Sequence, residues 1–90
     1  MNESKAVEKN LIVRNKLGLH ARPAALFVQI ANKYDAQISV KKGGQLVNGK
    51  SIMGIMTLAA SRGSKICIIA KGDGAQEAIR ELERLVTSRE

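Results

Sequence analysis

The hydrophobic pattern of this chain changes period several times, and each change predicts a new element of secondary structure. The short β-branched run Leu-Ile-Val at residues 11–13 predicts a first strand. From Ala21 to Tyr34, apolar residues recur at helical spacing, with Pro23 in the first turn, where its missing N–H costs nothing. The chain is therefore expected to begin with a strand that leads into a helix.

Two strands, a short helix and a third strand are predicted next. Residues 36–41 alternate between apolar and polar side chains, as in a half-buried strand, and residues 43–47 supply a glycine turn and a short returning strand. Ser51 precedes a short apolar segment and is the predicted N-cap of a helix that ends before Gly63. The apolar run at residues 65–70 is typical of a central strand.

The last element has the clearest pattern. Residues 75–86 place apolar side chains on one helical face and charged side chains on the other. The predicted order is βαββαβα, which favours an α+β fold in which three helices cover one face of a four-stranded antiparallel sheet. With 90 residues, the chain can form a single domain around one core.

Composition narrows the class of protein. Hydrophobic residues make up 44% of the chain and charged residues 26%, as in globular domains. The single cysteine, Cys67, lies in an apolar run, so we expect a small core residue and a reducing, cytoplasmic environment. No segment has the length of a membrane span, and the polar residues 1–10 lack a signal-peptide pattern. We therefore expect a protein that is neither exported nor inserted into a membrane.

The charge balance indicates an acidic partner. The chain has 15 Lys and Arg against 8 Asp and Glu, a formal net charge of +7, and such a field favours acidic proteins or nucleic acids. Binders of single-stranded nucleic acid stack bases on aromatic rings, but Phe27 and Tyr34 are the only aromatic residues. A basic module that binds DNA or RNA in a salt-sensitive manner is therefore the less favoured alternative.

His20, the only histidine, stands where the first predicted helix begins. The unpaired N–H groups and the dipole of a helix N-terminus favour a bound anion, and Arg22 adds a cation whose donors fit phosphate oxygens. Because a neutral imidazole is nucleophilic near pH 7, this arrangement suits a phosphoryl group on the ring. The small residues Gly18, Ala21 and Ala24 are expected to keep the pocket open. A lone histidine is more often a helix cap or a surface residue, so its position alone does not decide its role.

Two motifs favour the phosphoryl role. Residues 18–24, Gly-Leu-His-Ala-Arg-Pro-Ala, resemble the active-site motif of HPr, the histidine-containing phosphocarrier family of the phosphoenolpyruvate-dependent sugar phosphotransferase system. Residues 48–54, Asn-Gly-Lys-Ser-Ile-Met-Gly, resemble the family's second signature, which surrounds a regulatory serine. The resemblance covers residues 9–90, so residues 1–8 are expected to form a flexible N-terminal extension. It implies the fold of the family, an open-faced β-sandwich.

The resemblance implies a phosphoryl carrier rather than an enzyme. Enzyme I, charged by phosphoenolpyruvate, would phosphorylate His20 at Nδ1, and the phosphoryl group would move on to an enzyme IIA domain. Arg22 would take the family's role of stabilising the phosphate. Because phosphoryl transfer of this kind needs positioning and charge neutralisation, no metal and no other cofactor is expected.

The resemblance also implies a docking patch and a regulatory site. The first two helices would contact enzyme I and enzyme IIA, through the residues Ala21, Lys50, Ile52, Met53 and Met56. Arg14, Arg22 and Lys50 are candidates for steering acidic partners toward this patch. Ser51 would be phosphorylated by HPr kinase/phosphorylase where that enzyme exists, although Gly49 replaces the larger apolar residue of many family members. A monomer is expected.

Two further alternatives stay open. No residue separates a carrier for sugar uptake from a regulatory member in the nitrogen-related branch of the same family. A histidine-based hydrolase would need an acid that orients His20, and the sequence places neither Asp35 nor Asp73 beside it.

Overall fold

The computed structural model describes residues 6–89, and their seven elements follow the predicted order. The elements are β1 Val7–Ile12, α1 Ala21–Ala31, β2 Gln37–Lys42, β3 Gln45–Asn48, α2 Ile52–Thr57, β4 Lys65–Lys71 and α3 Ala75–Val86. The strands form one antiparallel sheet in the order β1-β4-β2-β3, so β4 is central as predicted. None of the helices in this part of the chain is both long and apolar enough to cross a bilayer.

The alternation of side chains along β4 explains where the core lies. Ile66, Ile68 and Ala70 are buried, whereas the intervening Cys67 and Ile69 are only half-buried. The helices lie on the face that holds the buried set, and they contribute their own apolar sides to one core. Its largest fully buried hydrophobic side chains are Phe27, Ile55, Leu58, Ile68, Leu82, Val13, Val40 and Val86. The predicted sandwich with one open face is confirmed.

Cys67 is not the core residue that its apolar neighbours predict. Successive side chains of a strand point to opposite faces of the sheet, and Cys67 falls on the uncovered face, between Asn10 on β1 and Lys41 on β2. Partial burial and the nearby carboxylate of Glu8 raise the pKa of the Cys67 thiol. The thiol is therefore at the surface of the sheet, in its protonated form near neutral pH.

β1 begins at Val7, four residues before the apolar run that predicts a strand, and Val13 lies just beyond its end. As an edge strand, β1 pairs only with β4, and it carries polar residues such as Glu8 and Asn10 on the uncovered face. Because these side chains are polar, the hydrophobic pattern does not predict the first part of the strand. The expected boundary of the N-terminal extension at residue 8 thus falls inside β1, and residues 1–5 lie outside the described residues.

α1 is shorter than predicted because it ends at Ala31, and Tyr34 lies in the turn that follows. The Tyr34 hydroxyl donates a hydrogen bond to the Glu81 carboxylate on α3, which also pairs with Lys33 Nζ at 2.9 Å. The bond to Glu81 raises the pKa of Tyr34, and Tyr34 and Lys33 together lower the pKa of Glu81. These contacts attach the C-terminal end of α1 to α3.

Candidate functional site

His20 occupies the N-cap position of α1, and its side chain is exposed. The backbone is extended there, with φ −83° and ψ −166°, and the His20 carbonyl oxygen accepts the first helical hydrogen bond, from Ala24 N at 2.9 Å. The imidazole makes no capping hydrogen bond. A role as a side-chain helix cap therefore does not explain this histidine.

The N-terminus of α1 has unpaired donors and no acidic residue in its first turn. The first turn of a helix leaves N–H groups without intrahelical partners, and Pro23 has no N–H, so the amides of Ala21 and Arg22 remain. The first turn contains no acidic residue, and the Arg22 side chain is exposed. Within residues 6–89, the ion pairs join lysines to Glu81 and Glu83 on α3 and do not involve Arg22. This helix end therefore has positive potential beside His20 that no acidic residue of its first turn offsets.

A close backbone contact at Gly18 fixes the loop that leads to His20. Gly18 has a φ of +77°, and a Cβ atom there would lie 2.6 Å from the Ala60 carbonyl oxygen and 2.8 Å from the Ser61 Cα. The next amide, Leu19 N, donates to that same Ala60 oxygen at 2.9 Å. Only glycine satisfies both the left-handed backbone and the missing space.

The small residues of the motif were expected to keep the pocket open, but they have other roles. Gly18 is buried and allows the backbone contact, and Ala24 is a core residue with 0% exposure. Ala21 alone is exposed beside the histidine. The site is open because His20 lies at a helix end on the surface.

A shallow cleft of about 230 Å³ adjoins His20, with mostly apolar residues around it. Met56 and Ala59, at and after the end of α2, line it together with Leu17, Leu19, Ala60 and Ser61. Leu17 is 73% exposed, and sequence reasoning did not single it out. The feature of the sequence that could have identified it is a large apolar residue between Lys16 and Gly18, in a loop where polar residues are usual.

α2 presents one apolar face to the core and another to solvent. Ile55 and Leu58 are buried, whereas Ile52, Met53 and Met56 are 43%, 72% and 41% exposed. Exposed methionine is typical of surfaces that fit several partners. The exposure that the docking interpretation needs is therefore present.

Ser51 is the N-cap of α2, as predicted, because its Oγ accepts a hydrogen bond from Gly54 N at 2.9 Å. The preceding Gly49 packs directly on the core, and a Cβ atom there would lie 2.6 Å from Ile38 Cγ2. In this chain a side chain at position 49 would therefore overlap Ile38. Lys50 is half-buried, and its Nζ donates to the Tyr34 carbonyl oxygen at 2.7 Å.

His20 and Ser51 lie at opposite ends of the surface formed by α1 and α2. Met56 lines the cleft beside His20 at the start of α1, whereas Lys50, before α2, bonds to Tyr34 beyond the end of α1. Ser51 therefore lies toward the C-terminal end of α1, whereas His20 lies at its start.

Asn15 is a buried polar residue that sequence reasoning missed, since a polar residue in a loop is ordinarily exposed. It is 2% exposed, and its Nδ2 donates to the carbonyl oxygens of Leu85 at 3.0 Å and Ser88 at 3.1 Å. The backbone carbonyl oxygen of Asn15 accepts a hydrogen bond from Gly18 N at 3.0 Å. Asn15 thereby attaches the histidine loop to the C-terminal end of α3.

Comparison with known proteins agrees with this geometry. The family model described as "PTS HPr component phosphorylation site" matches residues 7–88. The HPr-like protein Crh of Bacillus subtilis is 49% identical over 80 residues, covering 89% of this chain and 94% of that protein. A crystal structure of HPr from Bacillus anthracis superposes with a TM-score of 0.87 at 52% identity, covering 90% of this chain and 96% of that one.

A further solved relative is described as an HPr dimer from Thermoanaerobacter tengcongensis. It has a TM-score of 0.71 and 49% identity, and the match covers 96% of this chain and 93% of that one. Together the fold, the motif and these matches define a small phosphocarrier of the phosphotransferase system. The chain belongs to the HPr family.

Asn15→Ala is expected to lower the free energy of unfolding by about 1–3 kcal/mol, because the side-chain hydrogen bonds to the carbonyl oxygens of Leu85 and Ser88 are lost. Denaturant titration measures this loss. Asn10→Ala, on the exposed face of β1, is the control and should change stability by less than about 0.5 kcal/mol. An Asn15→Ala protein as stable as the parent would show that the amide bonds contribute nothing.

Proposed function

We propose that this chain is a phosphocarrier that accepts a phosphoryl group from enzyme I on Nδ1 of His20 and donates it to an enzyme IIA domain. The P–N bond to His20 forms as the bond to the donor breaks, and the same exchange runs in reverse at the acceptor. The observation that supports this most is the exposed imidazole at the free N-terminus of α1, next to Arg22.

The electrostatics suit a carrier, which must hold the phosphoryl group and also release it. The helix N-terminus contributes about 0.3–1 kcal/mol for an exposed anion. Arg22 is exposed as well, so solvent screens its attraction for the phosphate. The transition state of phosphoryl transfer is loose, and charge neutralisation and alignment therefore account for most of the catalysis.

Docking in this proposal uses the exposed surface of α1 and α2. Ala21, Ile52, Met53 and Met56 contact the partner, and the apolar cleft beside His20 extends that surface with Leu17. Lys50 contributes charge at the far end of the patch, although its Nζ is already bonded to Tyr34. The patch and His20 belong to one copy, so the proposed transfer needs no second copy, and the proposal takes the chain to act as a monomer in the cytoplasm.

A regulatory role is the second candidate, and the position of Ser51 favours it. Ser51 lies at the edge of the docking surface, where HPr kinase/phosphorylase could add a phosphate without unfolding the helix that Ser51 caps. The relative in Bacillus subtilis is itself called HPr-like, and a solved structure of it describes a catabolite repression protein. Regulation through Ser51 is compatible with transfer through His20.

His20→Ala is expected to fold normally and to accept no phosphoryl group from enzyme I, because the variant lacks the nucleophilic nitrogen. Incubation with phosphoenolpyruvate and enzyme I, followed by a test of acid lability, measures this. Asn10→Ala is the control, and it should carry an acid-labile, base-stable phosphate like the parent. Full labelling of His20→Ala would contradict the assignment.

Arg22→Glu is expected to slow transfer by about tenfold or more in both directions, since it replaces the cation beside the phosphoryl group by an anion. Rapid-quench rates with enzyme I and with enzyme IIA measure both directions. Arg80→Glu makes the same change of charge on the exposed side of α3 and serves as the control. Equal rates for the two variants would exclude a local role for Arg22.

Ser51→Asp is expected to retain the thermal stability of the parent, because aspartate is also a good N-cap. Phosphorylation by enzyme I should slow through a higher KM at unchanged kcat, since the new charge lies in the docking surface and would repel an acidic partner. Ser51→Asn caps the helix without a charge and is the matched control. Identical kinetics of Ser51→Asp and Ser51→Asn at low salt would reduce Ser51 to a structural cap.

A further inference from the structure

A second basic region lies near His20, outside the docking patch and the phosphate site, and of its three arginines the sequence singles out only Arg14 as a steering candidate. Arg14, Arg62 and Arg89 line one cleft of about 180 Å³, together with Ile12, Val13 and Gly63. All three arginines are exposed, and no Asp or Glu of the described chain is among the lining residues. We call this site the arginine cleft.

Backbone hydrogen bonds bring the three arginine-bearing segments together. Gly63 N donates to the Val13 carbonyl oxygen at 2.8 Å, and Val13 N donates to the Ser64 carbonyl oxygen at 2.9 Å. Arg14 N donates to the Val86 carbonyl oxygen at 3.0 Å, which connects the end of α3, and with it Arg89, to the same place. The concentration of positive charge is therefore a property of the fold.

The arginine cleft is adjacent to the cleft that contains His20. Ser61 lines the His20 cleft and the next residue, Arg62, lines the arginine cleft. The loop before His20 also runs from one to the other, with Arg14 at one end and Leu17 and Leu19 at the other. A specific protein interface covers about 800 Å² on each partner, so a protein bound at His20 is large enough to reach this region.

The chemistry of the cleft favours carboxylates held by a bound protein over a free small anion. Exposed arginines remain hydrated, and isolated surface charges bind a free anion weakly. Carboxylates on a protein already docked at His20 are present at a high effective concentration, which compensates for a weak individual contact. Charges at the rim of an interface act mainly on the association rate.

We propose that the arginine cleft receives acidic side chains of the protein that exchanges the phosphoryl group with His20. The cleft steers this partner by its positive charge, whereas the exposed side chains of α2 are apolar. The inference rests on the proposed phosphocarrier function. It adds a contact region formed by Arg14, Arg62 and Arg89, which lie outside α1 and α2.

The test compares two triple variants of the full chain that carry the same net charge. One has Arg14→Gln, Arg62→Gln and Arg89→Gln, and the other has Lys41→Gln, Lys71→Gln and Arg80→Gln, so each falls from +7 to +4 by loss of three cations. All six side chains are exposed, and thermal unfolding checks that both variants fold. The second-order rate of phosphorylation by enzyme I is then measured from low to physiological salt.

The arginine variant is expected to lose about tenfold in kcat/KM at low salt, to keep its kcat, and to depend less on salt than the parent. The lysine-rich control should lose less than about twofold, as expected when only the net charge changes. Equal losses in the two variants would overturn the proposal while leaving phosphocarrier function intact. If the parent accepts no phosphoryl group, the proposed function fails and this inference fails with it.

A binding measurement with inorganic phosphate tests whether the arginine cleft binds a free anion instead of the carboxylates of a docked protein. Amide resonances of Arg14, Arg62 and Gly63 are followed by NMR as phosphate is added to the unphosphorylated parent. Shifts that remain linear at millimolar phosphate support a site that needs a docked partner. Saturable shifts that disappear in the arginine variant would make the cleft a site for free anions and overturn the proposal.

Discussion

The approach of the Gly18 backbone to residues 60–61 is the contact on which the site depends. A side chain of any size at Gly18 would overlap the Ala60 carbonyl oxygen, and the loop would have to move away. The hydrogen bond from Leu19 N to that oxygen then sets where the chain can enter α1. His20 follows directly after Gly18 and Leu19, so the backbone contacts of these two residues determine its position, and the imidazole takes no part in them.

The other attachments of the histidine loop come from the opposite direction. Asn15 bonds to two carbonyl oxygens at the end of α3, and Arg14 N bonds to a third. The loop is thus held between the segment after α2 and the C-terminal end of α3, while the His20 ring stays exposed. A rigid backbone with an accessible side chain is the combination that a transferable phosphoryl group requires.

Distance separates the chemical and regulatory parts of the α1–α2 surface. His20 and Arg22 lie at the start of α1, and Ser51 lies toward its other end. In the proposed function, a modification at Ser51 would act through the docking of a partner that spans the surface.

The sequence by itself determined the order of the elements, the amphipathic face of α3, the N-cap at Ser51 and the position of His20 at the start of a helix. These features follow from local periodicity and from short motifs, which depend on residues close together in the chain. Only the tertiary structure decided the length of β1, the exposure of Cys67, the burial of Asn15 and the convergence of three arginines. Each of these depends on contacts between residues far apart in sequence, such as the bonds from Asn15 to Leu85 and Ser88. Hydrophobic periodicity carries no information about such pairs, because a polar side chain in a loop looks the same whether it meets water or the end of a distant helix.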